Sequence, residues 1–357
     1  MKDKCKTKKQ NTEGTRICSV GGQALMEGIL MRGPHGMAQV VRDPKGELVI
    51  EAEAIQPLSQ KNGFLRLPFV RGSVSLVDSM RVGMKALFDS AEICGMEEDP
   101  DYQPSKFDTF VEKKLGDKAM GVFMTISMVL AVCLSIGLFF ILPNLISSWI
   151  IPKESKLLYN LVEGVVRLAI FMGYMIAISK MRDIRRVYMY HGAEHKTIHC
   201  YEHEDPLTVE NVRKYSKHHP RCGTAFLFVV MFISILIYSV MPRFENIFLN
   251  IAMRIVLLPV IAGISYEFNR FAGKNNGKIT RILRAPGMAM QHFTTVEPED
   301  DMIEVAIIAL EKALEFEKEP VFPSYSALDK EAAPAPEESA ADVQAAAAGT
   351  VPTSLPS

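Results

Sequence analysis

Six of the eight histidines of this chain lie in one short stretch, at positions His191, His195, His199, His203, His218 and His219. The first four recur at intervals of four residues. An α-helix turns only about 40° over such a step, so successive members share one face of the helix. Because neutral imidazole is the commonest metal ligand, this spacing predicts a metal site. No other part of the sequence concentrates chemistry in this way.

A single helix cannot surround a metal ion, so a tetrahedral site needs further ligands from elsewhere in the chain. Around the helix axis, His195 lies about 40° and His199 about 80° from His191, so these three can share one site. The run K-H-H-P-R-C-G-T supplies the nearest further donors, and Pro and Gly in it can fix a turn that aims them. The sequence therefore predicts a divalent metal ion, zinc in the first place, with the candidate ligands His191, His195, His199, His219 and Cys222.

Within the histidine stretch, residues 191–195 spell H-G-A-E-H, which matches the pattern H-x-x-E-H. In metallohydrolases with this pattern, the two histidines bind zinc and the glutamate activates a water molecule. Glu194 is therefore the candidate catalytic residue, and Glu267 is a candidate third ligand. A pattern of five residues also occurs by chance, so a solvated basic helix whose histidines are structural or contact phosphates stays open as the alternative.

The composition indicates a membrane protein. Hydrophobic residues make up 48% of the 357 residues, and a net charge of −1 gives no argument for nucleic-acid binding. The six cysteines contain no C-x-x-C pair, which is typical of a reduced environment. No apolar stretch follows the basic N-terminal residues directly, so a cleaved signal peptide is not expected.

Four segments are long and apolar enough to cross a bilayer, which takes roughly 20 residues. They are residues 119–142, 157–179, 225–241 and 247–268. Lys and Arg concentrate between the second and third segments and after the fourth. By the positive-inside rule, both termini and the histidine-rich segment 180–224 are then cytoplasmic. No proline interrupts residues 157–205, so the second span is expected to continue into the histidine helix as one helix.

Charged residues inside these spans are costly and need partners or a function. Glu163 and Arg167 are four residues apart on one helix, and Arg254 lies on another span. The favoured interpretation is a buried structural ion cluster, in which Arg254 reaches Glu163 across the bundle. A path for a proton or an ion is the alternative.

The remaining segments complete a mainly α-helical membrane protein with four transmembrane helices. Strands at 37–41 and 47–55, around a turn at 43–46, predict a small N-terminal β-rich cytoplasmic unit. Residues 73–92 predict an amphipathic helix, either packed on this unit or lying at the membrane surface. The full division is a disordered N-terminus 1–16, the β-rich unit with its helix 17–95, a linker 96–118, the transmembrane region 119–268, cytoplasmic amphipathic helices 269–319 and a disordered Ala/Pro-rich tail 320–357.

Several stretches together resemble the YqhQ-like family of bacterial membrane proteins. They are G-G-Q-A-L-M-E-G-I-L-M-R-G-P (21–34), P-F-V-R-G (68–72), Y-H-G-A-E-H-K-T-I-H-C-Y-E (190–202), H-P-R-C-G-T (219–224) and the region around E-P-E-D-D-M-I-E-V-A (297–306). The resemblance covers roughly residues 17–318. This family is a domain of unknown function whose members are labelled as predicted metal-dependent enzymes. By its motifs, the resemblance implies functional positions at His191, Glu194, His195, His199, His219 and Cys222.

The leading hypothesis is a multi-pass protein of the bacterial plasma membrane whose cytoplasmic metal site hydrolyses a membrane-associated substrate. The alternative is a non-enzymatic accessory factor for membrane-protein insertion or assembly, motivated by the β-rich unit and the amphipathic helices. The expected partners are the lipid bilayer and other membrane proteins, with no nucleic acid, and the chain is compatible with a homo-oligomer.

Overall fold

The computed structural model describes residues 20–55, 63–95, 119–151, 156–242, 244, 246–274 and 277–316. The predicted N-terminal segment 1–16, the linker 96–118 and the tail 320–357 lie outside these residues.

The described part begins with an antiparallel sheet in which each strand pairs with the next along the chain. The strands are β1 (Gly21–Leu25), β2 (Gly28–Arg32), β3 (Gly36–Arg42) and β4 (Leu48–Ala54). The turn between β3 and β4 forms where the sequence predicts it, because Asp43 Oδ1 accepts hydrogen bonds from the backbone N–H groups of Lys45 and Glu47. The two predicted strands are confirmed.

The helices follow the sheet in chain order. They are α1 (Val70–Ile93), α2 (Ala119–Ile136), α3 (Leu142–Ile150), α4 (Lys156–Ile178), α5 (Arg182–Glu202), α6 (Val209–Arg213), α7 (Gly223–Ser239), α8 (Ile247–Lys274), α9 (Lys278–Thr294) and α10 (Asp300–Leu314). A π-helical segment, Gly137–Ile141, joins α2 to α3.

Helices cover both faces of the sheet. On one face, Leu25, Leu30 and Val41 pack against Ala86 of α1. On the other face, side chains such as Ile29 pack in one cluster with residues of α5 and α10. Because successive side chains of a strand point to opposite faces, a single sheet supports two separate apolar layers.

Helix α10 is buried more extensively than the sequence alone indicates. The sequence indicates amphipathic helices over 269–319, but eleven of the fifteen residues of α10 are buried. The reason is that α10 packs against β2, β3 and α5 at once, so apolar side chains on several of its faces find partners. Residues 300–314 are therefore part of the core beneath the histidine helix.

Three helical stretches among the described residues are long and apolar enough to cross a membrane: 126–150, 157–178 and 252–272. The other predicted span, 225–241, corresponds to α7, whose 17 residues fall short of the required length. Such a helix is about 26 Å long, whereas the hydrocarbon core of a bilayer is about 30 Å thick. A bundle of four spans is therefore not confirmed.

The expectation of one continuous helix over 157–205 is wrong. Helix α4 ends at Ile178 and α5 begins at Arg182, with Met181 extended at φ −69° and ψ 137°. The end of α4 tightens through bonds such as Lys180 N–H to Ala177 O at 3.3 Å. Asp183 lies in the first turn of α5, where a negative charge stabilises a helix N-terminus. A new helix can thus begin without a proline.

The predicted ion cluster in the bundle is confirmed. Glu163 accepts a hydrogen bond from Arg167 at 2.7 Å and one from Arg254 at 2.8 Å, and all three side chains are at least nine-tenths buried. The Nε–H group of Arg167 also donates to the carbonyl of Phe139 in the π-helical segment, at 2.8 Å. The cluster joins α4 to α8 and to the π-helical segment Gly137–Ile141.

Replacing Glu163 by Gln should strongly destabilise the protein, because two buried guanidinium groups would lose their carboxylate. The expected loss is about 3–5 kcal/mol in the free energy of unfolding. Glu315→Gln is the matched control, since it removes the exposed ion pair with Lys312 and should cost less than about 1 kcal/mol. Thermal unfolding in detergent measures both, and equal melting temperatures for the two variants would contradict the role of the cluster.

Candidate metal centre

Helix α5 carries the histidine stretch and is buried along most of its second half. Every residue from Gly192 to Ile198 is buried. Gly192 allows the segment before α10 to lie against the helix, because a Cβ atom at this position would come within 2.1 Å of the Val296 carbonyl oxygen. The alternative of a solvated basic helix does not describe these residues.

Three side chains converge beside α5: His191, His195 and Cys222. Their ligand atoms all lie within 4.8 Å of one another, and Nε2 of His191 is 3.2 Å from Sγ of Cys222. In a tetrahedral zinc site with bonds of about 2.1 Å to nitrogen and about 2.3 Å to sulfur, such atoms are about 3.5 Å apart. The three side chains, called the HHC group below, therefore have dimensions suited to three corners of a metal site.

Backbone carbonyls fix the tautomers of both histidines in the HHC group. Nδ1 of His191 lies 2.8 Å from the Thr294 carbonyl oxygen, and Nδ1 of His195 lies 2.6 Å from that of Lys217. A carbonyl oxygen only accepts, so each Nδ1 carries the proton and each Nε2 presents a lone pair. Metal-bound histidines are typically held in this way.

Nε2 of His195 is buried and has no hydrogen-bond partner in the described structure. Burial lowers the pKa of His195, which keeps the imidazole neutral. The Cys222 thiol lies close enough to raise this pKa in part, although the two groups lack hydrogen-bond geometry. A buried nitrogen lone pair without a partner costs free energy, and a cation would satisfy it.

The thiol of Cys222 is positioned by the start of α7. Cys222 is the N-cap of this helix, and its Sγ accepts a hydrogen bond from the backbone N–H of Thr224 at 3.4 Å. The hydroxyl of Thr224 lies 3.0 Å from the same sulfur. A helix N-terminus favours negative charge, so this position suits the thiolate that a metal ion requires.

A second group, His199, Glu202 and His219, also has ligand atoms within 4.8 Å of one another. The nitrogen and oxygen atoms of this second group are engaged in hydrogen bonds and ion pairs. The backbone N–H of Arg221 donates to Nδ1 of His219 at 3.3 Å, so the neutral ring carries its proton on Nε2, which lies 3.3 Å from Glu202 Oε2. The guanidinium of Arg221 pairs with the other carboxylate oxygen. This group forms a hydrogen-bond network in place of an open set of lone pairs.

His199 belongs to the same network. Its Nε2 donates to the His218 carbonyl oxygen at 3.0 Å, which holds the loop before α7 against α5. Burial lowers the pKa of His199 and of His219 to about 4 each, so both rings are neutral at pH 7. The five predicted ligands thus lie in two groups: the structure brings His191, His195 and Cys222 together and places His199 and His219 beside Glu202.

Glu194 lies on α5 between His191 and His195 in sequence, and its carboxylate lies against the sheet. Its Oε1 accepts a hydrogen bond from the backbone N–H of Gly22 in β1 at 2.9 Å. Burial raises the pKa of Glu194, while a charged His191 would lower it. Gly22 is required for this approach, because a Cβ atom there would lie 3.0 Å from the Glu194 carboxyl carbon and 2.9 Å from the Leu30 carbonyl oxygen.

Gln291 is a supporting residue that sequence reasoning missed. Its side-chain amide donates to the His219 carbonyl oxygen and accepts from the His219 backbone N–H, both at 2.8 Å. Gln291 is fully buried in α9, so this pair of hydrogen bonds clamps the loop that carries Cys222. No local pattern marks it, since the residue lies 72 positions from its partner.

Other candidates lie away from the HHC group. Glu267 forms a bidentate pair with Arg71 at 2.7 and 2.6 Å and is in neither ligand group, which corrects the suggestion of a third ligand. A cavity of about 500 Å³ between the sheet and α1 has no lining residue from either group.

Comparison with known proteins gives the family. A family model described as "Protein of unknown function (DUF1385)" matches residues 67–316. The "Uncharacterized protein YqhQ" of Bacillus subtilis (strain 168) is 30% identical over 301 residues, which cover 83% of this chain and 92% of that protein. The chain belongs to the DUF1385, YqhQ-like family. The resemblance seen in the motifs is thereby confirmed, and no solved structure matches the chain.

Two adjacent glycines test how Glu194 is held in this member of the family. Gly22→Ala should destabilise the protein by about 1–3 kcal/mol, because its Cβ atom collides with β2 and with the Glu194 carboxyl group. Gly21→Ala is the control, since a Cβ atom there meets nothing within 4 Å. Melting temperatures in detergent compare them, and a Gly22→Ala protein as stable as Gly21→Ala would refute the close approach.

Proposed function

We propose that His191, His195 and Cys222 bind one divalent metal ion, with zinc as the first candidate. We further propose that the protein is a hydrolase that uses this ion at the cytoplasmic face of the plasma membrane. The observation that carries the proposal is the buried Nε2 of His195, which lies close to the ligand atoms of His191 and Cys222 and has no hydrogen-bond partner in the described structure. This nitrogen offers a lone pair that no hydrogen bond uses. The ligand atoms of His191 and Cys222 lie within 4.8 Å of it.

The donor set favours zinc. Two imidazole nitrogens and one thiolate are intermediate to soft ligands, and they suit Zn²⁺ better than Mg²⁺ or Ca²⁺, which prefer oxygen. Three protein ligands leave a fourth tetrahedral position for a small molecule, as in catalytic zinc sites, whereas structural sites have four protein ligands.

Glu194 is the proposed proton carrier. A bound divalent cation would supply Lewis acidity to a substrate carbonyl or phosphoryl group. Burial raises the pKa of Glu194, so its carboxyl can accept and release a proton nearer neutral pH than an exposed glutamate. The hydrogen bond from Gly22 holds one carboxylate oxygen and leaves the other to exchange the proton.

The position of the centre suggests a substrate at the membrane surface. Three residues separate α5 from α4, which is one of the candidate spans, and His191 lies nine residues beyond the first residue of α5. This distance corresponds to about 14 Å along the helix. The Lys and Arg residues between α4 and α7 favour a cytoplasmic location for this segment.

Metal analysis of the purified protein tests the proposed centre. We expect about one equivalent of zinc per chain in the wild type, and near zero after His191→Ala combined with His195→Ala, because two of three ligands are lost. Cys222→Ser should also reduce the content, while a hydroxyl at this position can still cap α7. His203→Ala is the control, because His203 is in neither ligand group and should leave the metal content unchanged. Wild-type protein without metal, after zinc is added back and excess removed, would reject the proposal.

Glu194→Gln separates catalysis from metal binding. The variant should keep its metal and melting temperature, while hydrolysis of a panel of chromogenic carboxylic and phosphoric esters falls by about 100-fold or more, as expected when a general base is lost. Unchanged hydrolysis would remove Glu194 from the reaction. A metal-loaded wild type that hydrolyses none of the panel would favour the accessory role in membrane-protein insertion or assembly.

A further inference from the structure

Helix α1 carries a stripe of exposed apolar side chains. The stripe consists of Val77, Met80, Met84 and Phe88, which are between 43% and 63% exposed. Around the helix, Met84 and Phe88 lie within about 20° of Val77 and Met80 within about 60°, so the four form one continuous strip. The strip is about 16 Å long, and a solvated face of a helix would carry polar residues at these positions.

The opposite side of α1 is already used. Gly83, Ala86 and Ser90 are buried, and Ala86 packs with Leu25 of β1 and Leu30 of β2. The sheet therefore accounts for one face of the helix and leaves the apolar stripe without a partner among the described residues. An apolar surface of this kind marks an interaction site.

The start of α1 is attached to a candidate membrane span. Ser73 donates a hydrogen bond to the Pro259 carbonyl oxygen of α8 at 2.7 Å. Gly72 packs on Tyr266, and the backbone of Phe69 lies against Gly263 so closely that a Cβ atom at Gly263 would be 2.6 Å from the Phe69 carbonyl oxygen. These contacts lie within the apolar stretch 252–272, about 9–20 Å along the helix from its C-terminal end.

Exposed apolar side chains continue from the stripe back to this attachment. Phe64, Leu67 and Phe69 precede α1 and are 47% to 63% exposed. The exposed apolar surface thus extends from the stripe to α8, which is one of the candidate membrane spans. Arg81 is exposed at the edge of the stripe and also lines the cavity between the sheet and α1, and its guanidinium group can pair with a lipid phosphate from there.

We infer that the stripe of α1 lies in the cytoplasmic leaflet of the bilayer, so that α1 is an interfacial helix with the sheet on one face and lipid on the other. The proposed partner of the stripe is a bilayer surface that contains anionic lipid headgroups. This inference rests on the membrane placement in the proposed function. Both alternatives for residues 73–92 then hold together, since the helix packs on the β-rich unit with one face and contacts the membrane with the other. The HHC group would then be held at a fixed height above the headgroups.

Tryptophan fluorescence in vesicles tests this arrangement. The chain has one tryptophan, Trp149, so a Trp149→Phe background allows single probes. The probes are Phe88→Trp and Met84→Trp on the stripe, Leu130→Trp on an exposed face of the first candidate span, and Lys45→Trp on the exposed β3–β4 turn. Each full-length variant is reconstituted into vesicles of phosphatidylglycerol and phosphatidylcholine in equal parts, with and without brominated acyl chains.

The inference expects about twofold quenching by brominated lipid for both stripe probes and for Leu130→Trp, with none for Lys45→Trp. Phe88→Trp replaces one aromatic ring by another, so it keeps the test valid if Met84→Trp does not fold. Aqueous acrylamide should quench Lys45→Trp and leave the stripe probes largely unaffected.

Each failure has its own signature. If Leu130→Trp is quenched by lipid and the stripe probes are quenched only by acrylamide, the membrane placement stands and the interfacial helix is rejected. Stripe probes shielded from both quenchers would show that protein, such as a second copy of this chain, covers the stripe, which also overturns the inference. Absence of lipid quenching at Leu130→Trp would reject the membrane placement itself.

Discussion

The geometry of the proposed metal centre depends on two backbone carbonyl groups. The carbonyl oxygens of Thr294 and Lys217 accept the Nδ1 protons of His191 and His195, which turns both Nε2 lone pairs toward Cys222. These partners are 103 and 22 residues away from their histidines. The HHC group therefore exists only after α9 and the loop before α7 have packed on α5, and its geometry is a product of tertiary folding.

The histidines that recur along α5 have two different roles: some are candidate metal ligands, and others position the loop before α7. His191 and His195 belong to the HHC group, whereas His199 donates a hydrogen bond to the His218 carbonyl oxygen. Glu202 and Gln291 hold His219 from two sides, so the loop that ends in Cys222 is fixed by side chains from α5 and α9. Even spacing along one helix brings side chains to one face, but the partner of each nitrogen decides whether it donates a proton or offers a lone pair.

Local patterns predicted the parts of the fold that depend on neighbours in sequence. The turn at 43–46, the helix at 73–92 and the pairing of Glu163 with Arg167 follow from residue types and spacing, and the structure confirms them. The division of the ligands and the role of Gln291 depend on segments that meet only in the folded chain. The break at 179–181 was missed because no proline or glycine marks it, and the burial of α10 was missed because periodicity does not show how many faces find partners.

The residue at which α7 begins follows from the same constraint as the HHC group. Residues 219–222 are extended or turned because Gln291 and Glu202 bind His219 and because Cys222 takes the capping position, so the helix cannot begin before Gly223. One further helical turn at this end would give α7 the length of a span, but it would rotate the thiol away from His191 and convert its capping geometry into helical backbone. The predicted third span, 225–241, has 17 residues, as α7 has, and α7 begins two residues before it, so the apolar run is itself short and the turn that carries Cys222 keeps the helix from extending beyond it.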